Sequence, residues 1–93
     1  MDKSEAENEI DKLEKVFSDV ANEVSRQRNK WGIQDHHPQM WLNILMEEVG
    51  ESSKAMMEAH FRKGNKGDYY KEMIQVAAVA ISACENYWRG SKP

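Results

Sequence analysis

Apolar residues recur between Ser4 and Lys30 at alternating spacings of three and four: Ile10, Leu13, Phe17, Val20 and Val24. That spacing puts one stripe along an amphipathic helix, predicted over 4–30. Ser4 followed by Glu7 reads as a capping box at its start. The pattern breaks at Trp31 to His37 (WGIQDHH), where Gly32 interrupts it and Pro38 follows. Pro38 suits the first turn of a second helix, because its missing N–H would have no partner there. This helix is predicted over 38–62, with Trp41, Leu42, Leu45, Val49, Ser52, Met56 and Ala59 on one face. The glycine-bounded stretch Lys63 to Gly67 predicts a turn. Asp68 then offers a cap for a third helix over 68–89, which Gly90 and Pro93 stop.

The third helix carries unusually few polar positions. Tyr69, Met73, Val76, Ala77, Val79, Ala80, Ile81, Ala83, Cys84, Tyr87 and Trp88 cover most of its circumference, leaving a narrow strip of Lys71, Gln75, Ser82 and Asn86. A helix apolar on nearly all sides is buried on more than one side. Two partner helices hardly cover such a surface. The pattern therefore predicts a single all-α domain over 1–93, a helical bundle completed by oligomerisation as a homodimer or homotetramer.

Composition narrows the class. The chain has 93 residues, too few for a thick core of its own. Its 13 basic against 16 acidic residues carry no massed positive charge of the kind a nucleic-acid footprint requires. The one cysteine, Cys84, cannot form an intramolecular disulfide and is read as core packing. The charged N-terminus lacks a signal-peptide core, and the longest apolar run, Val76 to Ile81, is too short to span a bilayer. A soluble, cytoplasmic protein without membrane or nucleic-acid partners is the expectation.

Two acids, Glu48 and Glu72, stand where helical periodicity puts apolar neighbours, and a third, Glu51, lies at helical spacing from the first. Glu48 lies on the shoulder of the core face of the second helix, and Glu51 is one turn further along the same edge. Side chains three apart on a helix are neighbours, so this pair can reach one ion. Glu72 lies between Val79 and Ala83 on the third helix. A carboxylate withdrawn from water is normally paired or coordinates a metal. Two readings follow: lysine or arginine from the first helix neutralises these acids, or they share a cation. Ligands that are all oxygen favour Mg²⁺ or Mn²⁺ over zinc.

The run Trp41-Leu-Asn-Ile-Leu-Met-Glu-Glu-Val-Gly-Glu51, followed by Lys71-Glu-Met-Ile-Gln-Val-Ala-Ala-Val-Ala80, resembles the MazG-like branch of the all-α nucleoside triphosphate pyrophosphohydrolases. Arg26-Gln27 and Lys30-Trp-Gly-Ile-Gln34 are similar to that branch as well. Gln34-x-His36-x-Pro38 resembles the segment before the first metal helix in dCTP pyrophosphatase-type relatives. The similarity covers roughly Arg26 to Glu85. The family pattern is an ExxE pair and then an ExxD pair. Glu48 and Glu51 match the first pair and Glu72 opens the second, but Gln75 stands at the aspartate position.

The resemblance implies a Mg²⁺-dependent hydrolase that cleaves a nucleoside triphosphate, a deoxynucleotide preferentially, between the α and β phosphates. Glu48, Glu51 and Glu72 would be its catalytic metal ligands, with Gln75 as an uncharged fourth and Glu48 or Glu51 as general base. Lys30 is a candidate for the phosphates; Trp31 and His36 are candidates for the base. Each also has an ordinary structural reading, as a solvated lysine, a core-capping tryptophan and an exposed loop histidine. Gln75 keeps a second functional reading open: a catalytically weak or inactive module on the same fold that binds nucleotide or protein.

Overall fold

The computed structural model describes residues 3–61 and 66–90. It contains three helices and, among the described residues, no strand: α1 (Lys3–Trp31), α2 (Pro38–Phe61) and α3 (Lys66–Trp88). The all-α expectation is met. α1 is already helical at Lys3, so Ser4 lies within its first turn. α3 begins two residues before Asp68, which therefore sits inside the helix and not at its cap. Residues 62–65, and with them most of the expected turn and the expected end of the second helix at Arg62, lie outside the described residues.

The breaks between helices have local causes. Gly32 adopts φ 77°, a left-handed conformation costly for residues with a Cβ, and its N–H donates to the Arg28 carbonyl at 2.8 Å. This is the αL stop that ends α1. His37 opens α2: its Nδ1 accepts from the Gln39 N–H at 3.1 Å, satisfying one of the donors that a helix start leaves over. Gly90, at φ 102°, follows the end of α3.

α3 is the central element. α1 packs on one side of it and α2 on another, while the backbones of α1 and α2 stay apart from each other among the described residues. The core accordingly runs along α3. Val20 and Val24 of α1 meet Ile74 and Ala78, with Ala77 beside them. Trp41 of α2 and Val79 of α3 are buried as well. Only the C-terminal half of the α1 stripe is used: Ile10, Leu13 and Phe17 remain exposed, Phe17 by 63%.

Much apolar surface is left open. The radius of gyration is 15.7 Å, against the roughly 12 Å expected of a compact chain of this length. Leu42, Met46, Met73, Ile81, Tyr87 and Trp88 are all exposed, Trp88 by 80%. Cys84 corrects its sequence reading: it is exposed and lines an apolar groove between α2 and α3, with Leu45, Ala80, Ala83 and Tyr87. Asn86 corrects its own in the other direction. Read as part of a polar strip, it is 1% exposed and is the largest fully buried side chain described.

Candidate metal and nucleotide site

Because α1 and α2 separate on either side of α3, a cleft of about 500 Å³ opens between them. That is within the usual size of a small-molecule site. The end of α1 supplies Arg26, Gln27, Arg28, Lys30 and Trp31 to one side, and the loop adds Gly32, Ile33 and Gln34. α2 supplies Trp41, Ile44, Glu48 and Glu51 to the other side, while Gln75, Val79, Ser82 and Arg89 come from α3 and its end. Part of the narrow polar strip of the third helix, Gln75 and Ser82, thus lines the cleft.

The three acids singled out by their periodicity come together. One carboxylate oxygen from each of Glu48, Glu51 and Glu72 lies within 4.8 Å of the others. Glu51 is exposed, whereas Glu48 and Glu72 are partly buried. Glu48 Oε2 and Glu72 Oε2 are shielded from solvent and have no hydrogen-bond partner; the Ser52 hydroxyl, one turn beyond Glu48, is in the same condition. Buried polar atoms are almost always satisfied, so orphaned oxygens on two acids whose carboxylates approach each other call for a partner. Burial pushes the Glu48 carboxyl above its ordinary range, and the negative charges of Glu51, Glu72, Glu23 and Glu47 push it further.

The salt-bridge reading is not met by a direct ion pair, although the Arg26 guanidinium is near enough to Glu48 for their charges to interact. Among the described residues no lysine or arginine pairs with Glu48, Glu51 or Glu72. Four cations of α1 are engaged elsewhere: Lys12 with Glu9, Lys15 with Asp19, Arg26 with Glu23 and Arg28 with Glu85. The donor set fits a hard divalent cation, since it consists of oxygen ligands from facing helices with both buried oxygens unused. Gln75 is one turn from Glu72 along α3 and lines the cleft.

The cationic side of the cleft is less free than its composition suggests. Arg26 forms two hydrogen bonds with Glu23, at 2.8 and 2.7 Å, and Gln27 donates to the same carboxylate at 2.9 Å. Arg28 is tied to Glu85, whose carboxyl is held below its usual range by that bond. Arg89 is tied to Asp35 at 3.0 Å. Lys30 is the lining cation without an ion pair among the described residues; its Nζ lies 4.7 Å above the Trp31 ring. Trp31 is half exposed at the cleft.

His36 is placed differently from Lys30 and Trp31. Its ring meets the Trp41 ring edge-on with centroids 4.9 Å apart, lies 3.1 Å from Gln34 Oε1, and lines the apolar groove, not the acid-lined cleft.

Sequence reasoning missed a polar cluster at the loop end of the cleft. Asn86 Oδ1 accepts from Trp41 Nε1 at 2.6 Å and from the His36 N–H at 2.7 Å, and Asn86 Nδ2 donates to Asp35 Oδ1 at 3.0 Å. Arg89 donates through Nε to Asp35 Oδ1 and through a terminal nitrogen to the Gln34 carbonyl, both at 3.0 Å. The available signal was a polar residue at the end of a helix otherwise too apolar to face water. No known protein family, curated protein or solved structure matches the chain.

Proposed function

We propose that this protein is a Mg²⁺-dependent nucleoside triphosphate pyrophosphohydrolase, cleaving between the α and β phosphates to release a nucleoside monophosphate and pyrophosphate. The observation that carries the reading is the convergence of Glu48, Glu51 and Glu72, with two buried, unpartnered oxygens, beside a cleft. The MazG-like resemblance of the Glu48 and Glu72 segments supports the same reaction. A divalent cation held there, Mg²⁺ or alternatively Mn²⁺, would offset phosphate charge and acidify the attacking water.

The chain's own residues then have distinct tasks. Glu48 and Glu72 hold their carboxylates at fixed positions on two packed helices, so little reorganisation is needed as charge develops. Glu48 or Glu51 accepts the proton of the water that attacks the α phosphorus, while the bond from that phosphorus to the bridging oxygen breaks and pyrophosphate leaves. Burial and its acidic neighbours raise the proton affinity of Glu48, which suits it to that role whenever it is ionised. Lys30, without an ion pair among the described residues, meets the phosphates, and Trp31, half exposed at the cleft, stacks on the base through the ring face that Lys30 does not cover. Gln75 contributes at most a neutral oxygen.

The unpartnered apolar faces of α2 and α3 support association into a homodimer or homotetramer. Among the described residues no helix is long and apolar enough to cross a membrane.

The test is a panel of canonical and damaged ribo- and deoxyribonucleoside triphosphates with Mg²⁺, read as pyrophosphate release. Magnesium-dependent turnover of at least one substrate is expected; no turnover across the panel ends the proposal. Gln75 favours a second reading, a nucleotide-binding module without turnover, for which the same panel would raise thermal stability but release no pyrophosphate.

A further inference from the structure

We propose that Asn86 is a positioning residue that fastens the loop after α1 to the end of α3, and that this fastening sets nucleotide affinity rather than the rate of the chemical step. The inference rests on the hydrolase reading of the cleft. It starts from the hydrogen-bond inventory of one side chain. An amide oxygen has two acceptor sites, and here Trp41 Nε1 and the His36 N–H occupy both. The amide nitrogen faces the Asp35 carboxylate, so the three partners fix which way the amide points.

The consequence is concentrated in the loop. Three consecutive residues are fastened to the end of α3: Gln34 through its carbonyl, Asp35 through its carboxylate and His36 through its N–H. Gly32, Ile33 and Gln34, immediately before or within this clamp, form the cleft rim. Short polar loops of this kind otherwise exchange among conformers. The buried amide replaces that freedom with one arrangement and also holds the Trp41 indole, which lines the same cleft. Along α3, Asn86 is eleven residues beyond Gln75, about 16 Å of helix rise. The clamp therefore sits at the far end of the cleft from the acids and acts on ligand capture without touching the carboxylate cluster.

The decisive variants exchange the polarity of one hydrogen bond. Asn86→Asp retains acceptors for Trp41 and His36 but sets two carboxylates against each other where a donor faced an acceptor. Asp35→Asn in the same chain restores the match at position 86, with the new amide donating to it, while Arg89, which shares Asp35 Oδ1 with Asn86 in the parent, keeps its bond to the Gln34 carbonyl. Asn86→Asp should raise KM about tenfold or more, from loss of a part-buried charge-assisted bond and gain of repulsion, while kcat stays within about threefold. The double variant should return KM to within about threefold of the parent. In the parent chain, the His36 amide should exchange with solvent as slowly as amides in the middle of α3, and Asn86→Asp should release it.

An unchanged KM in Asn86→Asp, a fall in kcat without a change in KM, or a double variant no better than the single one would overturn the inference. If Asn86→Asp does not fold, the double variant and the parent's His36 exchange still decide, because a fast-exchanging His36 amide refutes the clamp by itself. A parent chain that neither binds nor cleaves any triphosphate removes the hydrolase reading and the affinity claim together. The clamp itself is then judged by amide exchange alone.

Discussion

Replacing Glu48 by glutamine separates a metal site from a structural ion-pair network. Three carboxylate oxygens within 4.8 Å repel one another whenever they are ionised together. One pair at that distance costs about 1 kcal/mol with water-like screening and about 3.5 kcal/mol at the effective dielectric of a partly buried site. Glu48 is the acid whose folded-state carboxyl lies above its ordinary value, first from burial and then from its acidic neighbours. The sign follows: the folded state binds the Glu48 proton more tightly than the unfolded state does. Its cost to stability is fully present above the raised folded value and is lost as pH falls below the ordinary carboxylate value.

In metal-free buffer, Glu48→Gln should therefore raise thermal stability at pH 7–8, by about 1–3 kcal/mol, or roughly 4 °C or more in a domain of this size. The gain should shrink towards pH 4, where the parent acid is protonated. Adding Mg²⁺ should stabilise the parent more than the variant, since binding to the folded state alone stabilises by mass action. The assay is thermal unfolding with chelator and with Mg²⁺ across this pH range, at one protein concentration. A variant that loses about 3–5 kcal/mol without metal would show that Glu48 had lost a buried positive partner and would refute the reasoning.

Other consequences follow from the same geometry. Glu48→Gln, Glu51→Gln and Glu72→Gln should each lower kcat by at least about 10²-fold, roughly 2.7 kcal/mol of barrier, measured as pyrophosphate release; variants that keep full turnover would remove these acids from the chemistry. Gln75→Asp should tighten Mg²⁺ binding in calorimetric titration by adding a fourth negative ligand, and unchanged affinity would place residue 75 outside the ligand shell. Trp31→Ala should raise KM more than His36→Ala, because only the tryptophan lines the acid-lined cleft; the reverse order would move the base site to the groove. The chain should have a solution mass of two or four copies at micromolar concentration, and Ile81→Glu on the exposed side of α3 should lower it. A parent mass of one chain would contradict association through that face.

The elements and the acid cluster were legible because each depends on local periodicity. Glu48 and Glu72 betrayed themselves as charges inside apolar arcs, Gly32 and Pro38 as breaks, and the stripe at Val20 and Val24 as a core face. Other features depend on what lies opposite a residue, which one helix's pattern does not contain. Asn86 shares a strip with Lys71, and nothing local distinguishes the exposed lysine from the buried amide. Only the approach of Asp35, His36 and Trp41 does so. The pattern shows only a narrow polar strip, yet Gln75 and Ser82 line the cleft because α1 and α2 separate above them. The α1 stripe was overextended for the opposite reason: Ile10, Leu13 and Phe17 keep the right spacing beyond the region where α3 packs against them. Cys84 has the periodicity of a core residue and faces an open groove.

The central claim is that the Glu48, Glu51 and Glu72 cluster supports attack of water on the α phosphorus. It is tested most directly by hydrolysis of an accepted triphosphate with Mg²⁺ in ¹⁸O-labelled water, followed by mass analysis of both products. The account predicts one labelled oxygen in the nucleoside monophosphate and none in pyrophosphate, with no reaction in the presence of chelator. Label in pyrophosphate or inorganic phosphate, or turnover that persists without a divalent cation, would contradict it.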